Sequence, residues 1–237
     1  MTTPLLDCHG LTARYGLAQV LYGVSLSLAA GEVVALMGRN GAGKSTTLKA
    51  IMNLISADAE RLNFSGEDIR ELEPYRIARL GLGYVPEERR IFTDLTVAEN
   101  MEVGRQAARA GAAVWTPERL FEIFPNLAEM RHRRASQMSG GEQQMLTIAR
   151  TLMGNPSAIL LDEPSEGLSP LIVQQMAGAV NAMKREGIAV LVSEQSLPFA
   201  SAVADRVLVI DKGEIQFAGT IGALLADTAV RDKYLGV

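Results

Sequence analysis

The sequence predicts an α/β fold built on a parallel sheet, and three observations predict it. A glycine-rich loop, Gly38-Arg39-Asn40-Gly41-Ala42-Gly43-Lys44-Ser45-Thr46, follows the apolar run Val33–Met37 and opens a stretch of helical periodicity. Further short apolar runs alternate with helical patterns, as strands covered on both faces do. One of these runs, Ala158-Ile159-Leu160-Leu161-Asp162, ends in an acid.

Each residue type in the loop has a physical reason. Glycines accept backbone angles closed to other residues and let the chain approach a phosphate closely. A series of backbone N–H groups, helped by the start of the next helix, can then point at β- and γ-phosphates. Lys44 supplies a mobile cation, and the Ser45 hydroxyl suits Mg²⁺. The loop therefore predicts nucleotide binding.

Before the loop, Leu5-Leu6, Leu11–Tyr15 and Val24–Leu28 read as three short strands, the last with clean apolar–polar alternation. Ala30-Gly31 is a turn. Tyr15 by itself reads as an ordinary strand aromatic. After the loop, Leu48, Ile51, Met52 and Ile55 keep helical period. Phe64–Asp68 reads as a strand and turn, Pro74–Leu80 as a short helix with proline in its first turn, and Leu82–Val85 as a strand stopped by Pro86.

Glu87 to Leu95 is a charged segment. Thr96 and Glu99 fit a capping box that opens a helix. Residues 106–116 read as a helix end and loop, and Pro117 starts another helix through Phe124. Arg131-His132-Arg133-Arg134 reads as a solvated basic face. A helix runs from Glu142 to Met153, another from Leu171 to Arg185, and Gly187 ends the latter. Ile188–Val192 and Val207–Ile210 are buried strands, Asp211-Lys212-Gly213 is a hairpin turn, and Leu224–Val237 reads as helical. The mostly helical segment from about 87 to 155 lies between core strands and reads as an inserted subdomain.

The 237 residues carry 48% hydrophobic and 21% charged side chains, enough for a sizeable core. A net charge of −4 argues against a general nucleic-acid binder. The single cysteine, Cys8, excludes an intramolecular disulfide and a cysteine-type metal cluster. No signal peptide is evident, and no uncharged apolar run reaches the roughly 18 residues of a membrane span.

Asp162 and Glu163 form the second half of the expected site. The strand-end Asp can hold the shell of Mg²⁺, and the carboxylate after it can polarise an attacking water. Upstream lies Ser139-Gly140-Gly141-Glu142 at a helix start. With this segment the chain resembles the ATP-binding subunits of ABC transporters, where the segment is Leu-Ser-Gly-Gly-Gln; here Met138 and Glu142 replace its first and last residues. The resemblance spans nearly the whole chain. It implies a P-loop NTPase core of ABC ATPase type, with an antiparallel β subdomain and the inserted helical subdomain, as one ATP-binding domain over 1–237.

The resemblance also implies roles. Gly38 to Thr46 bind the phosphates of ATP, and Tyr15 stacks on adenine rather than serving as a plain strand aromatic. Ser45, Asp162 and Glu87 serve Mg²⁺; Glu87 stands where Gln is usual, at the joint with the helical subdomain. Ser139, Gly140, Gly141 and Glu142 grip the γ-phosphate of ATP bound to a second ATPase subunit. Glu163 is the general base. Gln195 replaces the usual switch histidine, and neither His9 nor His132 is near it in sequence. An amide can donate to the γ-phosphate but cannot gain a proton, so Gln195 is expected to be a phosphate sensor.

Val-Pro-Glu at 85–87, Glu-Gly-Leu-Ser-Pro at 166–170 and Glu-Gln at 194–195 are similar to one branch, the smaller ATPase of branched-chain amino-acid, amide and urea importers. That implies an ATP-hydrolysing subunit, peripheral on the cytoplasmic face of the membrane. Its partners would be permease subunits, a second ATPase in a hetero- or homodimer and, indirectly, a periplasmic or extracellular solute-binding protein. Glu87–Phe92 reads either as a permease-docking segment or as a solvated loop with two anchors. The alternatives are an ATPase of lipid or drug export, a non-transport ABC ATPase and a regulatory nucleotide-binding module.

Overall fold

A computed structural model describes residues 3–108 and 114–236. Part of the expected loop at 106–116 therefore lies outside the described residues. The chain forms two sheets. The first holds β1 (Leu6–Tyr15), β2 (Ala18–Leu28), β4 (Ala57–Asp58), β5 (Arg61–Phe64) and β6 (Glu67–Asp68), in the order β2-β1-β5-β6 with β4 also paired to β1; every pairing is antiparallel. The second holds six strands: β3 (Val33–Met37), β7 (Leu82–Val85), β8 (Ala158–Asp162), β9 (Ala189–Glu194), β10 (Arg206–Asp211) and β11 (Glu214–Gly219). Their order is β11-β10-β3-β9-β8-β7, parallel except for the β10–β11 hairpin.

The first sheet corrects one expectation. Leu5-Leu6 and Leu11–Tyr15 are not separate strands: β1 runs unbroken for 10 residues, and β2 starts at Ala18 rather than Val24. Register shifts between Cys8 and Leu11, at Leu11/Thr12 and at Ala13/Arg14 break the two-residue alternation while the ladder continues. Gly10, at φ 65°, supplies the left-handed residue at the first of these.

The helices begin where local chemistry places them. Thr96 caps α3 (Val97–Val103) and makes the reciprocal capping box with Glu99. Prolines open α2 (Pro74–Leu80), α4 (Pro117–Ile123), α5 (Pro125–Glu129) and α7 (Pro170–Arg185), where a missing N–H costs nothing. Ser139 caps α6 (Gly140–Leu152). The remaining helices are α1 (Lys44–Ile51), α8 (Leu197–Val203), α9 (Ile221–Ala226) and α10 (Thr228–Val230). The expected helical tail is thus two short helices and a π-helical turn at Arg231–Leu235.

The six-stranded sheet separates two apolar layers. Val33, Ala35, Met37, Val190, Val192 and Leu161 face the layer that contains Leu146 and Ile148 of α6, Met176 and Val180 of α7, and Phe199 of α8. Val34, Leu36, Leu160 and Leu191 face α1 and the antiparallel sheet. Both faces are covered, so β3 and β8 are buried throughout and read as continuous apolar runs. The helices α3 to α6 lie in the chain between β7 and β8, which pair side by side. Among the described residues no helix is long and apolar enough to cross a membrane.

Candidate nucleotide-binding and catalytic site

Strand order creates the site. β3 lies between β9 and β10, and β8 pairs with the other edge of β9. The carboxyl ends of β3, β9 and β8 therefore bring the glycine-rich loop, Ser193–Gln195 and Asp162–Glu163 to one edge, the usual place for a ligand in an open α/β sheet.

The loop between β3 and α1 needs its glycines. A Cβ on Gly38 would run into the Ile210 carbonyl oxygen. Gly41 and Gly43 have φ of 79° and 113°, and Gly43 is the residue that starts α1. Lys44 is buried. Its Nζ donates to the carbonyl oxygens of Gly38 (2.8 Å) and Arg39 (3.1 Å) and pairs with Glu163 Oε1 at 3.0 Å.

Asp162 is fully buried at the end of β8. Ser45 Oγ and Ser193 Oγ both donate to Oδ1, each at 2.8 Å, and the Tyr84 hydroxyl donates to Oδ2 at 3.2 Å. Burial, followed by the charge of Asp162, holds the Tyr84 phenol well above its usual range. Sequence reasoning missed Tyr84 and Ser193. Their role follows from register, since Tyr84 sits on β7 beside β8, and Ser193 pairs directly with Asp162 across β9.

Glu163 adopts φ 45°, a left-handed conformation uncommon for a non-glycine residue. Its N–H donates to the carbonyl and hydroxyl oxygens of Ser193, at 3.1 and 3.0 Å. Gln195 Nε2 donates to Glu163 Oε2 at 2.8 Å and to Asn40 Oδ1 at 2.7 Å, so one amide spans the base candidate and the phosphate loop. Burial works against the charged form of Glu163. Hydrogen bonds from Glu166, Lys44 and Gln195, with the Lys44 charge, outweigh it and hold its carboxyl below the ordinary value. Glu166 answers in the opposite sense. Its hydrogen bond to Glu163, then burial and the charges of Glu163 and Glu87, push its carboxyl up to about 7. Of this pair, Glu163 is the more acidic and Glu166 the more readily protonated.

A cavity of about 390 Å³ is lined by Asn40, Gly41, Gly43, Lys44, Ser45, Thr46, Glu87, Glu163 and Glu166, with Val20 of β2. The larger cavity, about 690 Å³, lies around Asn53, Asp68 and Arg70 and contains no loop residue. Glu87 is exposed on the wall of the smaller one. Val20 and Glu166 lie on that wall as well, and the site reading above named neither. Tyr15 is 48% exposed at the end of β1 and does not line this cavity.

Ser139 to Glu142 also lie outside the cavity lining. The Glu142 carboxylate accepts from the Ser139 N–H at 2.7 Å, and Ser139 Oγ accepts from the Glu142 N–H at 3.4 Å. The Glu142 side chain is thereby engaged by the start of its own helix. That leaves the Ser139 O–H and the N–H groups of Gly140 and Gly141 to meet a ligand. The Arg89 guanidinium lies against Gly140, where a Cβ would meet Nη1 at 2.5 Å.

Ser45 and Asp162 fit a hard divalent ion such as Mg²⁺, being adjacent oxygen donors where β8 ends beside the phosphate loop. Among the described residues no three His, Cys, Asp or Glu side chains are grouped to hold a metal by themselves.

Comparison with known proteins accords with this geometry. The family model described as ABC transporter matches residues 21–166. The high-affinity branched-chain amino acid transport ATP-binding protein BraG of Pseudomonas aeruginosa is 40% identical over 98% of this chain and 100% of its own length. The lipopolysaccharide export system ATP-binding protein LptB of Escherichia coli is 32% identical over 98% of this chain and 97% of its own. An ATP-binding cassette of an ABC transporter, solved in its ADP conformation, superimposes with a TM-score of 0.81 at 28% identity, covering 98% of both chains. The chain belongs to the ABC transporter family and is one of its ATP-binding, ATP-hydrolysing subunits.

Proposed function

We propose that this chain is the ATPase subunit of an importer that takes up branched-chain amino acids or related small solutes. The observation that carries this reading is the end-to-end 40% identity with BraG. The export reading has its own support in LptB, at 32% identity over almost the same length. One experiment separates them. Disrupting the gene in its host should abolish uptake of labelled leucine, isoleucine or valine and leave lipopolysaccharide export intact. Unchanged uptake of these and of short amides and urea would sink the importer reading.

The proposed chemistry follows from the site. The loop N–H groups and Lys44 bind the β- and γ-phosphates of ATP. Ser45 and Asp162 hold Mg²⁺, with Glu87 facing the same cavity, and the ion would supply charge neutralisation on the phosphates. Lys44, drawn to the phosphate, releases Glu163, which orients a water and accepts its proton. The Gln195 amide, already shared between Glu163 and Asn40, donates to the γ-phosphate. Tyr15 stacks on the adenine. In the ATP-bound dimer, Ser139, Gly140 and Gly141 of a second ATPase subunit complete the site.

The proposed permease contact is the groove of about 490 Å³ beside Glu87–Phe92. It is lined by Tyr75, Tyr84, Arg90, Phe92 and Val103, and Arg150 stacks on Phe92 with its guanidinium carbon 5.1 Å from the ring centre. Its apolar floor and cationic rim suit a short amphipathic segment of a membrane subunit on the inner face of the membrane. A solute-binding protein would act through that permease.

A further inference from the structure

Next to Gln195, β9 ends in a second acid that the proposed chemistry does not use. Glu194 is 2% exposed and forms no ion pair among the described residues. Burial, outweighing its hydrogen bonds, holds its carboxyl above the ordinary value. An apolar side chain would fill this space without that penalty. The carboxylate is held instead by the Ser165 side chain and by backbone. Oε1 accepts from the Ser165 N–H at 3.2 Å, and Oε2 accepts from the N–H groups of Gln195 and Ser196, each at 3.2 Å.

The two oxygens thus face different loops. Ser165 stands two residues beyond Glu163, in the segment that leads to Glu166. Gln195 is the residue whose amide grips Glu163 and Asn40. A neutral amide has one acceptor oxygen and would turn its NH₂ toward a donor. Only a carboxylate accepts in both directions. Ser193 makes a parallel tie one residue earlier, taking the Glu163 N–H and donating to Asp162. Three consecutive residues of one strand end therefore hold the short segment from Asp162 to Ser165.

We propose that Glu194 is a positioning residue that clamps the Ser165 backbone to the Gln195 backbone and so fixes the Glu163–Gln195 pair for hydrolysis. The inference rests on the reading of Glu163 as base and Gln195 as γ-phosphate sensor. Glu194 itself touches neither substrate nor metal; it acts through Gln195.

The test is a double-mutant cycle on the ATPase activity of the assembled transporter. Glu194→Gln, which keeps the shape and cuts the clamp, should lower kcat about tenfold with the KM for ATP held within about twofold. Gln195→Ala should also lower kcat, and adding Glu194→Gln to it should cost less than about a further twofold. Glu194→Met, which removes both acceptors without a buried charge, should behave like Glu194→Gln and serves if the amide variant folds poorly. Losses that simply multiply, or a loss confined to KM, would overturn the clamp while leaving the sensor reading intact. A silent Gln195→Ala would overturn the sensor reading and the clamp with it.

Discussion

The Lys44 ammonium lies 3.0 Å from Glu163 Oε1, with the two side chains only 2% and 7% exposed. The cation expected on phosphate and the carboxylate expected on water therefore neutralise each other. Each would exchange the other for substrate when ATP enters. Neither charge has water to fall back on, so removing one strands the other.

That pairing gives a stability prediction. Lys44→Met should destabilise the chain by about 3 kcal/mol by leaving Glu163 buried and unpaired. The double variant Lys44→Met with Glu163→Gln should recover most of that loss, because no charge is left stranded. Urea unfolding of the wild type, both single variants and the double variant measures these values. Two losses that add in the double variant would show that the pair is not coupled.

Glu163→Gln should lower ATP turnover by at least about a hundredfold, the scale of a lost general base. ATP binding should persist, and the variant should accumulate as an ATP-held dimer with its partner ATPase on size exclusion. Wild-type turnover in this variant would remove Glu163 from the mechanism.

Titration of Glu166 sets a pH dependence in the chain without nucleotide. Its carboxyl is raised to about 7 in the fold, against an ordinary value of 4.5. Between those values the folded state binds more protons than the unfolded state, so stability falls as pH rises from 4.5 through about 7. Glu166→Gln holds the neutral form and should flatten this part of the profile. Thermal unfolding of both proteins from pH 5 to pH 8 checks it, and identical profiles would refute it.

Ser193→Ala deletes a hydroxyl that donates to Asp162 and accepts from the Glu163 N–H. The expected cost is roughly 1–3 kcal/mol of stability, since a buried carboxylate oxygen loses a donor. ATPase activity should fall as well, because Glu163 is tied through the same group. Wild-type values for stability and activity together would show that Ser193 is incidental.

Phe92 is 48% exposed beside the proposed permease groove. Phe92→Asp should abolish co-purification with the membrane subunits and leave ATP affinity of the isolated chain unchanged. Intact co-purification would return Glu87–Phe92 to the alternative of a solvated loop.

The sequence by itself determined whatever depends on neighbours along the chain. The phosphate loop was legible because glycine spacing, Lys44 and Ser45 lie within nine consecutive residues. The start of α3 was legible because a capping box spans four consecutive residues. β3 and β8 were legible because full burial leaves an unbroken apolar run. The length of β1 was not legible, since bulges hide a continuous ladder behind a broken alternation. Only the tertiary structure placed Tyr84 and Ser193 on Asp162, set Lys44 against Glu163 and closed Glu194 onto Ser165. The reason is strand order. β9 lies between the strand that carries the loop and the strand that carries the acids, and which strands pair is decided by packing over long sequence separations rather than by any local pattern.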